Sequence, residues 1–163
     1  MSIDVVSHTG DPQVGHLSTP ISGSGFSKAF IQALPAYRPN LSPARRGLEV
    51  GMAHGYLLYG PFALLGPLRA TEYGDLAGLL ASVGLVSILT VCLSIYGAVG
   101  SGAPLASVTA PTAPADLSTQ GGWSEFAGSF LIGGCGGAFF AYFLCTTPYV
   151  APLVEIARGV WSS

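Results

Sequence analysis

The stretch GLEVGMAHGY, Gly47 to Tyr56, runs directly into LLYGPFALLGPL, Leu57 to Leu68, and opens what reads as a membrane crossing. Before the apolar residues take over it carries a glutamate, a histidine and three glycines. Ionisable groups at membrane depth are costly and are functional by default. The reading of the chain therefore turns on what Glu49 and His54 hold.

Composition supplies the setting. Half of the 163 residues are apolar, 9% are charged, and the mean hydropathy is +0.55. A soluble domain carries far more charge than this, so the chain reads as a membrane protein. The net charge of -2 and the lack of a basic stripe argue against nucleic acid as a partner. Cys92, Cys135 and Cys145 lie in apolar runs without zinc or disulfide spacing, and are expected to be small core residues. The polar N-terminus has neither the basic start nor the apolar stretch of a signal peptide, so the mature chain is expected to begin at Met1.

No charged residue falls between Asp75 and Asp116 or between Glu125 and Glu155. Each gap exceeds the roughly 20 residues that cross about 30 Å of hydrocarbon as a helix. The Pro-, Ser- and Thr-rich run GSGAPLASVTAPTAPADLSTQGG reads as a loop, leaving one span in each gap. With the opening stretch, the expected fold class is an all-α membrane protein of three transmembrane helices, over about 47–65, 76–99 and 126–149. Residues 1–46 form an N-terminal arm, 47–154 the membrane domain and 155–163 a tail. Pro61 inside the first span predicts packing against neighbouring helices that satisfy the freed carbonyl.

Lys28, Arg38, Arg45 and Arg46 precede the first span, whereas only Arg69 and Arg158 follow it. The positive-inside rule puts the N-terminus in the cytoplasm or its chloroplast equivalent, and three spans put the C-terminus across the membrane. Within the arm, Phe26, Phe30, Ile31 and Leu34 share one face of a short amphipathic helix that stops at Pro35. It is expected on the membrane surface, on a partner, or capping the chain's own span. Gly128, Gly133, Gly134, Gly136 and Gly137 in the third span call for close helix neighbours. Two other spans cannot supply enough of them, which points to a subunit of a larger assembly.

Five residues separate Glu49 from His54, about 140° around a helix and about 7.5 Å along it. They cannot easily share one ion, and no second intramembrane histidine or carboxylate completes a metal or bis-histidine haem site, since His8 and His16 lie in the arm. What fits is one large ligand per residue, each needing a single axial donor. Chlorophyll is such a ligand, and its hard magnesium accepts glutamate oxygen as well as imidazole. Gly47, Gly51 and Gly55 form a flat stripe beside His54 on which a macrocycle is expected to lie. On spacing alone Glu49 is equally well read as a first-turn acid paired with Arg45 or Arg46, and His54 as a hydrogen-bonding or proton-carrying group. A transporter or proton-relay subunit, and a haem-sharing respiratory subunit, are the alternatives. The first is weakened by the near absence of polar residues on the other two spans.

The runs GDPQVGHLSTPIS, LPAYRPNLSPARRGLEVGMAHGYLLYGPFALLGPLR and GWSEFAGSFLIGGCGGAFFAYFL closely resemble the subunit XI (PsaL) family of photosystem I reaction centres, of the cyanobacterial type. The resemblance covers roughly Gly10 to Leu144. It implies a three-span, non-catalytic subunit of a photosynthetic membrane that binds antenna chlorophyll a and β-carotene. The implied partners are the large reaction-centre subunits, small single-span subunits, extrinsic acceptor-side subunits and, in trimers, neighbouring copies. Carried over by residue, Glu49 and His54 match the chlorophyll magnesium ligands, with Pro35, Ala36, Val50, Gly51, Ala53, Gly55 and Leu58 around the pigments. In trimeric relatives an acidic residue directly follows GPLR and contributes to a calcium site. Here that position is Ala70, so calcium is not carried over and the oligomeric state stays open; Glu72 and Asp75 read as solvated loop charges.

Overall fold

A computed structural model describes residues 7–8, 17–100, 109–110 and 113–162. The side chain of His8, the whole of His16 and most of the Pro/Ser/Thr-rich loop fall outside the described residues. Among the described residues five helices carry the fold: α1 Gly25–Ala33, α2 Pro43–Leu65, α3 Gly74–Ala98, α4 Gln120–Cys145 and α5 Ala151–Ser162. A single 3-10 turn, Ala115–Ser118, leads into α4. One departure from an all-helical chain is a two-residue antiparallel bridge, Ser7–His8 (β1) with Leu17–Ser18 (β2).

The helix starts follow from local chemistry. Ser24, Ser42 and Thr119 each sit in extended backbone and accept from the N–H of Ser27, Arg45 and Gly122 respectively. Each satisfies one of the donors that a helix start leaves without an intrahelical partner. Pro43 adds its preset φ at the first helical position. As a result α2 begins at Pro43 rather than near Gly47, and it continues through Pro61 to Leu65. Of the helices, α3 and α4 are long and apolar enough to cross a membrane. α2 has comparable length, 23 residues, but Arg45, Arg46 and Glu49 occupy its first two turns.

The seam between α2 and α4 is the centre of the structure, and glycine makes it. A Cβ on Gly47, Gly51 or Gly55 would overlap the carbonyl oxygens of Phe126, Phe130 and Gly134. In return, a Cβ on Gly133 or Gly137 would overlap the carbonyls of Leu48 and Met52. The two backbones thus touch along about three turns. Contacts of this closeness favour Cα–H···O interactions worth about 0.5–1 kcal/mol each, and dispersion replaces the missing hydrophobic drive between helices in lipid. The expected platform for a macrocycle at Gly47, Gly51 and Gly55 is therefore filled by α4. A Cβ on Gly128 or Gly136, by contrast, would meet nothing within 4 Å, and both residues are exposed.

α3 closes the other side. Val86 is fully buried and lies against Gly134, with Leu117, Phe126 and Phe130 around it. Tyr59, Ala63, Leu79, Ala138 and Ala141 form a second cluster one level further along. The α3 serine and threonine hydroxyls are satisfied within the helix: Ser82, Ser87, Thr90 and Ser94 each donate to the carbonyl four residues back at 2.8–2.9 Å. Cys135 and Cys145 are half-buried, but Cys92 is exposed on the outer side of α3 and is not a core residue.

The arm and the α3–α4 connection meet at one end of the bundle, while α5 and the α2–α3 turn share the other. The stretch expected as a tail from Glu155 belongs to α5, which is tied down by one polar junction. Arg158 Nη2 donates to Asp75 Oδ1 at 2.6 Å, and the Tyr59 hydroxyl donates to the same oxygen at 2.8 Å. Asp75 is thus a structural anchor rather than a solvated loop charge. Hydrogen bonds to charged groups contribute ~1.5–3 kcal/mol. Asp75→Ala is accordingly expected to speed amide exchange across residues 151–162 roughly tenfold or more, with α3 and α4 unchanged.

Candidate functional site

His54 stands on the outer surface of α2, beside the seam. Its Nδ1 lies 2.8 Å from the Val50 carbonyl oxygen one turn back. A carbonyl can only accept, so Nδ1 carries a proton, and of the two neutral tautomers this bond selects the one with its lone pair on Nε2. This is the arrangement by which a protein orients a metal-binding imidazole: one nitrogen fixed by a backbone acceptor, the other presented. The ring packs edge-on to Phe130 at 5.4 Å between centroids. Phe130 in turn belongs to an aromatic series on α4 that continues through Phe126 and Trp123 to Tyr96 of α3. Trp123 is held by its indole N–H, which donates to the Leu117 carbonyl at 2.6 Å.

Glu49 lies on the opposite side of α2. One nitrogen of Arg38, Nη2, donates to both carboxylate oxygens, at 2.6 and 2.5 Å. Arg45 Nε is 3.7 Å away, an ion pair without a hydrogen bond. Arg46, the other expected partner, turns elsewhere: it is 3% exposed and its Nη1 donates to the Pro35 carbonyl at 2.9 Å. A carboxylate offers about four lone-pair sites. A single nitrogen on the bisector engages the inner pair, leaving the outer ones.

Beside Glu49 a groove of about 720 Å³ runs along the outer side of the seam. Leu48, Met52, Ala53 and Tyr56 form one wall, and Ile132, Gly133, Gly136, Gly137 and Phe140 the other; Pro35 closes an end. The walls are apolar and the Gly133, Gly136, Gly137 floor has no side chains. A flat macrocycle fits such a surface, and the donor set suits a hard ion already held by four ring nitrogens, with one oxygen or one imidazole nitrogen per site. Among the described residues no group of three or more metal-ligating side chains comes together.

The expected pigment neighbours divide accordingly. Pro35 and Ala53 line the groove by Glu49. Gly51 and Gly55 lie inside the seam. Val50 orients His54 and packs on the Val86–Phe130 cluster. Ala36 and Leu58 are half-buried. Ala70 is exposed and lines a recess with Glu72, Asp75 and Glu155, into which Arg69 and Arg158 also bring positive charge. Arg38 beside Glu49 and Phe130 beside His54 are neighbours that the sequence pattern does not announce. Arg38 is separated from Glu49 by a turn and a helix cap that leave no periodic signal, whereas Phe126 and Phe130 at i, i+4 were legible as one face of α4.

The fold and its outward-facing side chains define a class: a helical membrane chain, with α3 and α4 long and apolar enough to cross the bilayer, that carries Glu49 and His54 on opposite sides of α2. A profile described as Photosystem I reaction centre subunit XI matches residues 4–150. The photosystem I reaction center subunit XI of Synechococcus elongatus is 61% identical over 164 residues, covering 99% of both chains. That of Picosynechococcus sp. is 64% identical over 143 residues, 88% of this chain and 94% of the relative. That of Crocosphaera subtropica is 57% identical over 147 residues, 90% and 94%. The chain belongs to the photosystem I reaction centre subunit XI family. It is a structural membrane subunit of photosystem I, located in the photosynthetic membrane, and not an enzyme.

Proposed function

We propose that the subunit holds chlorophyll a at two places, through His54 on one side of α2 and Glu49 on the other. When bound, the pigment absorbs light and passes excitation to its neighbours. The protein's part is to fix where each ring stands and what surrounds it. The observation that carries this reading is the outward Nε2 of His54, its partner nitrogen held by Val50 at 2.8 Å. Exposed to lipid with nothing bound, that lone pair forfeits a strong interaction; a tetrapyrrole metal supplies one.

α2 is then the third span. Its 23 residues extend about 34 Å, its charges stay in the first two turns, and its outer face beyond them is apolar, with Met52, Tyr56 and Leu57 exposed. The N-terminal arm lies on the cytoplasmic or stromal side and α5 on the lumenal side. The exposed Ile132, Phe139, Phe140 and Phe143 of α4 suit lipid, β-carotene or the spans of other photosystem subunits. The outward Gly128 likewise suits a close helix neighbour from the large or small intrinsic subunits. Extrinsic acceptor-side subunits meet the arm, and joining of neighbouring copies belongs to the same assembly role. The self-bonded hydroxyls of α3 offer no continuous relay, which disfavours transport.

The Arg38–Glu49 pair supports a second reading, in which Glu49 only anchors the arm. Counting chlorophylls in purified complexes separates the two. A His54→Leu/Glu49→Leu double variant is expected to lose two pigments per copy. A loss of one, shared with His54→Leu alone, would assign Glu49 to anchoring.

A further inference from the structure

The segment between α1 and α2 is folded as a clip. Tyr37 and Arg38 N–H both donate to the Leu34 carbonyl, at 3.0 and 2.8 Å, closing a tight turn. Asn40 takes φ +61°, in the left-handed region that few residues other than glycine and asparagine adopt readily, and sends the chain back to the Ser42 cap. Two arginines then fasten the clip to α2. Arg46, buried, holds the Pro35 carbonyl, which places Pro35 at the end of the groove. Arg38 reaches across to Glu49 and contacts both oxygens with one nitrogen.

That geometry bears on what Glu49 can do. A free carboxylate beside an apolar groove is costly to desolvate, and a guanidinium at hydrogen-bond distance offsets that cost. Contact through a single nitrogen on the bisector, rather than the two-nitrogen fork common for arginine and carboxylate, leaves the outer lone pairs outside that bond, and Arg45 Nε, 3.7 Å from Oε1, is too far to hydrogen-bond them. Glu49 keeps 30% side-chain exposure and lines the groove. We infer that Arg38 is the positioning residue for the groove's ligand: it fixes the carboxylate rotamer and compensates its charge while leaving an outer lone pair for an axial metal. The inference rests on the reading of Glu49 as a magnesium donor.

The test uses the intact photosystem I complex carrying Arg38→Gln, Arg38→Leu, Arg38→Lys or Glu49→Leu, with chlorophyll counts and low-temperature absorption difference spectra against wild type. Arg38→Leu is expected to lose the same single chlorophyll as Glu49→Leu. Arg38→Gln, which keeps a donor without charge, is expected to keep that pigment with a displaced band, and Arg38→Lys to return the band towards wild type. An unchanged count with Glu49→Leu removes the underlying reading and this inference with it. A reduced count with Glu49→Leu, together with wild-type counts and spectra for the glutamine and leucine variants, overturns the positioning role alone. If the leucine variant fails to assemble, the glutamine spectrum decides: a displaced band supports the role and an unshifted one refutes it.

Discussion

Gly55→Leu is expected to remove the subunit from the assembled complex. Any side chain at this position starts inside the Gly134 carbonyl oxygen, with the Ala138 nitrogen 2.9 Å from the added Cβ. Overpacking a core costs ~1–3 kcal/mol when side chains can shift to absorb it. At Gly55 the obstacle is helix backbone, so α2 and α4 have to separate, and separation also breaks the reciprocal contacts of Gly133 and Gly137 with Leu48 and Met52. Gly55→Ala is expected to give a graded version of the same defect. Gly136→Ala, on the same helix as the seam but open to the outside, is expected to leave the fold intact. Quantifying the subunit in purified photosystem I checks all three, and wild-type amounts of the Gly55→Leu protein would show that α2 and α4 are not so closely apposed.

The second large effect is at His54. Replacement by leucine removes both the Nε2 donor and the Nδ1–Val50 bond but preserves an apolar side chain of similar reach, so the helix is expected to form as before. One chlorophyll per copy should disappear, with its absorption missing from the difference spectrum. His54→Gln offers an amide oxygen in place of the ring nitrogen, and a hard magnesium accepts oxygen. That variant is expected to keep the pigment with a shifted band. A complex with His54→Leu that retains every chlorophyll would leave His54 with only its contacts to Val50 and Phe130.

Much of this architecture was legible in the chain because the membrane imposes simple requirements. Uncharged runs long enough to cross hydrocarbon fixed α3 and α4, and the opposed directions of Glu49 and His54 followed from 100° per residue. The helix starts were less visible. A Ser-Pro cap moved the beginning of α2 back to Pro43, and capping at Thr119 advanced α4 by nearly two turns, because local hydrogen bonds rather than hydropathy set where a helix begins. The glycine stripe was recognised, but its occupant was not. Small residues permit close approach equally by a flat ring or by another backbone, and only tertiary contact distinguishes them. Arg38 is legible only as part of a positive flank for the same reason: its bond to Glu49 depends on a turn through Asn40 that no periodicity encodes. α5 looks like a tail in the sequence because its stretch is short, and its tether depends on Arg158 meeting Asp75 across 83 positions of sequence.

The orientation of the His54 ring is the point on which the functional reading rests. A density map of the intact photosystem I complex that resolves the imidazole tests it directly. The account predicts a tetrapyrrole plane facing Nε2, its central metal at bonding distance and Nδ1 still on the Val50 carbonyl. An imidazole whose Nε2 meets only lipid or hydrogen-bonds to polypeptide would contradict it.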